Sequence, residues 1–326
     1  MDHQHDPAIH LFYRPEQVLA VDIAENFSKS PQKPRLLLDF LSRRGLDRYF
    51  VRHDDWPSFQ RQDFLLAHTP EYVDAFFAGR RPLCEPNRLA WSSQFADSVR
   101  YTNASLYHAI EHAVAHPEQV TFSPTSGFHH ARPAAGSGFC TFSGQVIAAV
   151  KMFREHRVVG AHIDLDGHFG NSIEDSRTFV ADLNQAIPLS CNINPGGDHT
   201  DYLDSLKEHL AALEGRLARN EVHYVVFAHG ADSHEDDDLG RQCTTTEWLE
   251  TSRLVYRMLD RVSQQLGRPV PLTLALFGGY RSDNYEAVLR LHTADLIRCL
   301  QIVCRSQDDD LQRVFVEVSV IERRAF

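Results

Sequence analysis

Residues 158–171 read VVGAHIDLDGHFGN, and the fold depends on how that run divides. Its first part, 158–163, is apolar and β-branched, as a buried strand is. Two aspartates and a histidine then follow. Asp and Gly after an apolar run often mark no more than a turn out of a strand. Here, though, Asp164, Asp166 and His168 alternate. In an extended chain alternate side chains share a face, so the three project together just past a strand end. Carboxylate and imidazole are the donors that a divalent metal takes.

Working outward, four more runs have the same buried-strand character: 119–122, 186–191, 222–228 and 271–277. Helical periodicity lies between them, at 105–115, 144–155, 202–217, 246–266 and 284–300. Strands alternating with helices predict a parallel sheet covered on both faces, an α/β fold. In open α/β sheets, sites form where loops leave the carboxyl ends of the strands. After 119–122 comes Ser126-Gly127-Phe128-His129-His130; after 158–163, Asp164 to His168; after 222–228, His229 to His234; after 271–277, Gly278-Gly279-Tyr280. Any one of these reads equally well as surface histidines or a turn. Four strand ends carrying glycines beside groups suited to metal and proton chemistry point to one shared site.

The rest of the chain narrows the class. Its 326 residues are long enough for a substantial core, and 43% hydrophobic with 24% charged suits a globular protein. The Pro-containing stretches near 80–87 and 132–138 look like loops within a domain, and no linker or repeat stands out, so one domain spanning 1–326 is expected. No run of 18 apolar residues occurs, and Met1-Asp2-His3-Gln4-His5-Asp6 has no basic and apolar signal region; a cytoplasmic protein without a membrane span is the expectation. Six cysteines without a CxxC pair argue against a disulfide framework or a zinc knuckle. The net charge of −11 disfavours nucleic-acid partners and mildly favours cationic substrates.

The parts assemble into metal-assisted amide hydrolysis. Asp166, His168 and Asp232 supply three ligands and leave a position open, which marks a catalytic rather than a structural metal. A metal so held acidifies a water and polarises a carbonyl. His129 and His130 are both placed to take the water's proton and pass one to the leaving amine. Tyr280 is expected to hydrogen-bond the developing oxyanion, and Asp164 to orient a histidine.

These residues resemble the histone deacetylase superfamily, including bacterial deacetylase-like amidohydrolases and acetylpolyamine amidohydrolases. The resemblance runs from Tyr13-Arg14-Pro15 and Pro34-Arg35, through His68-Thr69-Pro70-Glu71-Tyr72-Val73, to Gly278-Gly279-Tyr280. The family's Gly-His-His-Ala and Gly-Phe-Cys stretches read Phe128-His129-His130-Ala131 and Gly138-Phe139-Cys140; its Asp-x-Asp-x-His-x-Gly-Asn is Asp164 to Asn171, and its Gly-x-Asp-x-His-x-x-Asp-x-Leu-Gly is Gly230 to Gly240. By position, the resemblance makes Asp166, His168 and Asp232 ligands of one Zn2+, with Fe2+ or cobalt as replacements, and admits a structural K+. It makes His129 and His130 the catalytic pair, backed by Asp164 and Asn171, and Tyr280 the transition-state donor. Gly138, Phe139 and Gly278 would line an acyl-lysine tunnel, with Arg35 near its inner end and Cys140 packed behind it. The implied fold is a single α/β domain around an eight-stranded, mostly parallel sheet like that of arginase, although the ligand pattern looks mononuclear and fits a ureohydrolase poorly.

Departures fall around the acyl pocket. Phe128 replaces a glycine, Phe169 a second histidine, Asp238 a proline, and Leu276-Phe277 further glycines. Phe before His-His, with Leu-Asp-x-His in the metal motif, is similar to the class IV, long-chain-deacylating branch. The resemblance implies an acylated lysine peptide or protein, or an acylated polyamine, as substrate. A non-catalytic acyl-lysine binding module on the same fold is the alternative, and retention of Tyr280 and both histidines speaks against it.

Overall fold

A computed structural model describes residues 9–19, 28–29 and 31–324. Among them, seven strands form one sheet in the order β2-β1-β3-β7-β6-β4-β5, every pairing parallel. The strands are β1 (Ile9–Phe12), β2 (Phe50–His53), β3 (Val120–Ser123), β4 (Gly160–Leu165), β5 (Asn192–Ile193), β6 (Tyr224–Gly230) and β7 (Leu272–Phe277). Each residue of β3, β4, β6 and β7 is buried, as expected of strands covered on both faces.

The long helices pack as two sets. Ser93–Ala115 lies against Gly144–His156; His199–Ala218, Thr245–Leu266 and Tyr285–Ile302 pack in succession, the last also touching Lys33–Ser42 and Asp309–Val318. From β3 the chain crosses to β4, three places along the sheet, and later fills the gap with β6 and then β7. The carboxyl ends of β3, β7, β6 and β4 therefore sit side by side, and these are the four ends whose loops carry the motifs.

Three expectations need correction. The sheet has seven described strands, not eight. The run 186–191 is not a strand: Leu183–Ala186 is a helical turn and Leu189–Cys191 a 3-10 turn, followed by the two-residue edge strand β5. Pro188 between the turns lacks the N–H that a sheet ladder needs. The helix expected at 105–115 begins at Ser93, where the Ser92 hydroxyl accepts a hydrogen bond from the Phe95 N–H at 3.0 Å. Strands β1 and β2 escaped the sequence reading because His10, Arg52 and His53 interrupt their apolar pattern.

Candidate active site

The structure brings Asp166, His168 and Asp232 together at the ends of β4 and β6, with one potential ligand atom of each within 4.8 Å of the others. His168 Nδ1 lies 3.0 Å from Asp166 Oδ1 and 3.0 Å from Asp232 Oδ2. Both carboxylates are buried and the imidazole is half-buried. Gly167 N–H donates to Asp232 Oδ1 at 2.9 Å and ties the two loops together. Burial, and then the facing Asp166, push Asp232 up to about 6. Hydrogen bonds to Asp166 and Asp232 pull His168 up to about 10. Two buried carboxylates that repel each other and hold an imidazole between them form a donor set starved of positive charge. A divalent cation fits it in both charge and ligand type.

Beside the triad lies the histidine pair, ring centroids 4.0 Å apart. His129 Nδ1 donates to Asp164 Oδ2 at 2.9 Å, and His130 Nδ1 to Asn171 Oδ1 at 2.8 Å. Asn171 is held in turn by its Nδ2–H on Asp175 Oδ2, 2.6 Å away. With each Nδ1 engaged, each Nε2 is left toward the centre; His129 Nε2 is 3.7 Å from Asp166 Oδ1. The partners set the two rings apart. Burial works against a charged His129, yet the Asp166 and Asp164 carboxylates outweigh it and raise the ring to about 9. Burial and the neighbouring His129 lower His130 to about 4, and a neutral Asn171 offsets little of this.

Tyr280 completes the group from the turn after β7, its ring 6.3 Å from that of His168 and 5.7 Å from that of Phe139. Gly278 must be glycine: its φ is +24°, and a Cβ there would overlap the Asp232 carboxylate. Gly138 is also in the left-handed region, and a Cβ on it would lie 2.7 Å from the His130 ring. Phe139 follows at φ 62°, which is costly for a bulky residue and turns its ring toward Tyr280. Phe128 is buried, Phe169 is 60% exposed, and Cys140 is a buried free thiol.

Arg35 does not join this group. It lines a separate cavity with Tyr13, Asp39 and Arg52. Among the described residues the cation that reaches the site is Lys33, two residues earlier in the same helix and so on nearly the opposite side of it. Lys33 is fully buried, and its ammonium donates to the carbonyls of Phe277 (2.9 Å) and Gly278. Burial lowers it to about 8 against the pull of Asp232, Asp166 and Asp237. Asp237 is the second residue without an assigned role in the sequence reading, although it lies inside the quoted motif. Its Oδ2 accepts the Tyr280 N–H at 2.7 Å, and its Oδ1 accepts that of Leu239 at 2.9 Å. Asp238 binds Ser282 and Arg324, while the adjacent Arg281 holds the Glu322 carbonyl at 2.7 Å, so segment 320–324 braces the Tyr280 turn.

Residues 28–180 match the histone deacetylase domain model. An uncharacterised protein of Picosynechococcus sp. is 28% identical over 256 residues, 70% of this chain and 80% of that one. Histone deacetylase 3 of Oryza sativa subsp. japonica is 30% identical over 139 residues, 42% of this chain but 26% of the rice protein. The crystal structure of the HDA15 HD domain superposes with a TM-score of 0.65 at 16% identity, covering 96% of this chain and 93% of that one, which shows a common fold. The domain match, the rice relative and the shared fold, joined to the motifs that build the site, support the histone deacetylase superfamily.

Proposed function

We propose that the protein is a zinc-dependent amidohydrolase that removes an acyl group, acetyl or longer, from an acylated lysine side chain or a related acylated amine. One observation carries the reading: the Asp166–His168–Asp232 triad, with both carboxylates buried, lies against two imidazoles whose Nδ1 atoms are both fixed. A divalent ion held by the triad would supply the Lewis acidity that polarises an amide carbonyl and acidifies a water. His130, kept neutral, accepts the water's proton at Nε2 and returns one to the departing amine nitrogen. His129, kept cationic by its carboxylates, offsets negative charge at the reacting centre, and the Tyr280 hydroxyl donates to the acyl oxygen as charge builds. Lys33 holds the Gly278–Tyr280 turn through its carbonyls and Asp237 through the Tyr280 N–H.

The net charge of −11 favours an acylated polyamine as a second substrate class. Turnover of lysine peptides and polyamines carrying acetyl to myristoyl groups separates the two. Hydrolysis of none of them by metal-loaded protein would leave a binding module as the better account.

A further inference from the structure

Three imidazoles outside the active site converge at the opposite edge of the sheet. His10 belongs to β1, His53 ends β2, and His112 lies in the last turn of Ser93–Ala115. The register pairs Phe12 with His53, so His10, two residues before Phe12, points to the same face as His53. The helix covers that face and brings His112 down onto it. Ring centroids are 5.1 Å apart for His10–His53, 5.1 Å for His10–His112 and 4.9 Å for His53–His112. One nitrogen of each ring lies within 4.8 Å of the others, and His10 Nδ1 is 2.9 Å from His53 Nε2. Strands β3 and β7 separate β1 from β6 and β4, whose ends carry the Asp166–His168–Asp232 triad, so this cluster is distinct from that triad.

A stacked aromatic edge would need no such convergence of nitrogens. Tetrahedral zinc bound at about 2.0–2.1 Å sets neighbouring ligand nitrogens roughly 3.3 Å apart, close to the His10–His53 spacing. Gln119 Oε1 accepts from His112 Nε2 at 2.7 Å, which fixes that ring's tautomer and leaves Nδ1 its lone pair, as a supporting residue does for a metal-binding histidine. Each ring is half-buried. Three imidazoles with no carboxylate or thiolate suit zinc, copper or nickel and exclude magnesium and calcium.

We propose that His10, His53 and His112 form a second divalent-metal site, of zinc type, that pins the edge strands β1 and β2 to the helix above them.

The test titrates Zn2+ into chelator-stripped full-length protein, with His3 and His5, which precede His10 in sequence, replaced by alanine throughout so that they contribute nothing. Two equivalents are expected in that parent. One is expected in Asp232→Asn, which leaves the cluster intact, and its melting temperature should rise with zinc. At free zinc one hundred times Kd, the folding equilibrium shifts about 100-fold. Adding His53→Gln or His112→Gln to Asp232→Asn should abolish both uptake and the rise. No zinc uptake by Asp232→Asn, or uptake unchanged by the histidine substitutions, overturns the proposal. If the substituted proteins fail to fold, zinc binding by Asp232→Asn alone decides it.

Discussion

In the proposed mechanism Tyr280 and the two histidines act through single atoms, so their predictions belong at the residue scale. The Tyr280 hydroxyl gains strength as a donor only when negative charge develops on the acyl oxygen. Its loss should therefore lower kcat more than it weakens substrate binding. By analogy with removal of an oxyanion donor, Tyr280→Phe should cost about 10²–10³ in kcat. A ratio near one, at equal metal content, would leave Tyr280 a packed turn residue. His130→Ala should cost on the order of 10²–10⁴ in rate with metal retained. Asp164→Asn, which weakens the charge on His129 without moving a ring, should be milder. Equal losses from the two would show that His129, not His130, carries the proton. At this scale the sequence was most legible where spacing constrains geometry, as in Asp164, Asp166 and His168. It misled at the buried cation: Lys33 and Arg35 differ by half a helical turn, and only the packing of that helix decides which one faces β7.

At the scale of elements, the turn after β7 is the part on which the site depends most. Lys33 grips its carbonyls, Asp237 its N–H, and Gly278 gives way to the Asp232 carboxylate. Gly278→Ala should thus displace Asp232 and lose metal and activity together. Asp237→Asn should retain metal but lower kcat, since it loosens the tyrosine's backbone and not the ligands. Metal content measured beside turnover separates the two effects; a Gly278→Ala protein with full metal and rate would contradict the packing. Long buried strands such as β4, β6 and β7 were legible because both faces are covered and their apolar runs are unbroken. The edge was not. Strand β5 is two residues long, while β1 and β2 carry two of the three histidines of the proposed second metal site, so local polarity hid their pairing. Segment 320–324 gave no sequence signal at all, because its role lies in contacts with Asp238 and Arg281.

Over the whole molecule, buried neutral histidines set the response to acid. Burial lowers His68 to about 4, even though its Nδ1 donates to the Arg132 carbonyl and its Nε2 accepts the Ser143 N–H; His162 and His292 are likewise lowered by burial. A histidine whose pKa is depressed in the fold binds protons more readily when unfolded. Its contribution is complete above about 6.5 and is lost as pH falls toward 4. His68 alone should remove on the order of 2–3 kcal/mol between pH 7 and 4.5. Denaturation midpoints at the two values test this, and a flat profile would contradict it. The central claim is that this fold works as a metal-dependent deacylase, and it is tested most directly by one measurement: turnover of an acyl-lysine peptide by protein as purified, after chelation, and after one equivalent of zinc is restored. Activity lost on chelation and recovered with zinc is the predicted result. Turnover that survives complete removal of metal, or that is absent across acetyl to myristoyl substrates from protein loaded with zinc to saturation, would contradict it.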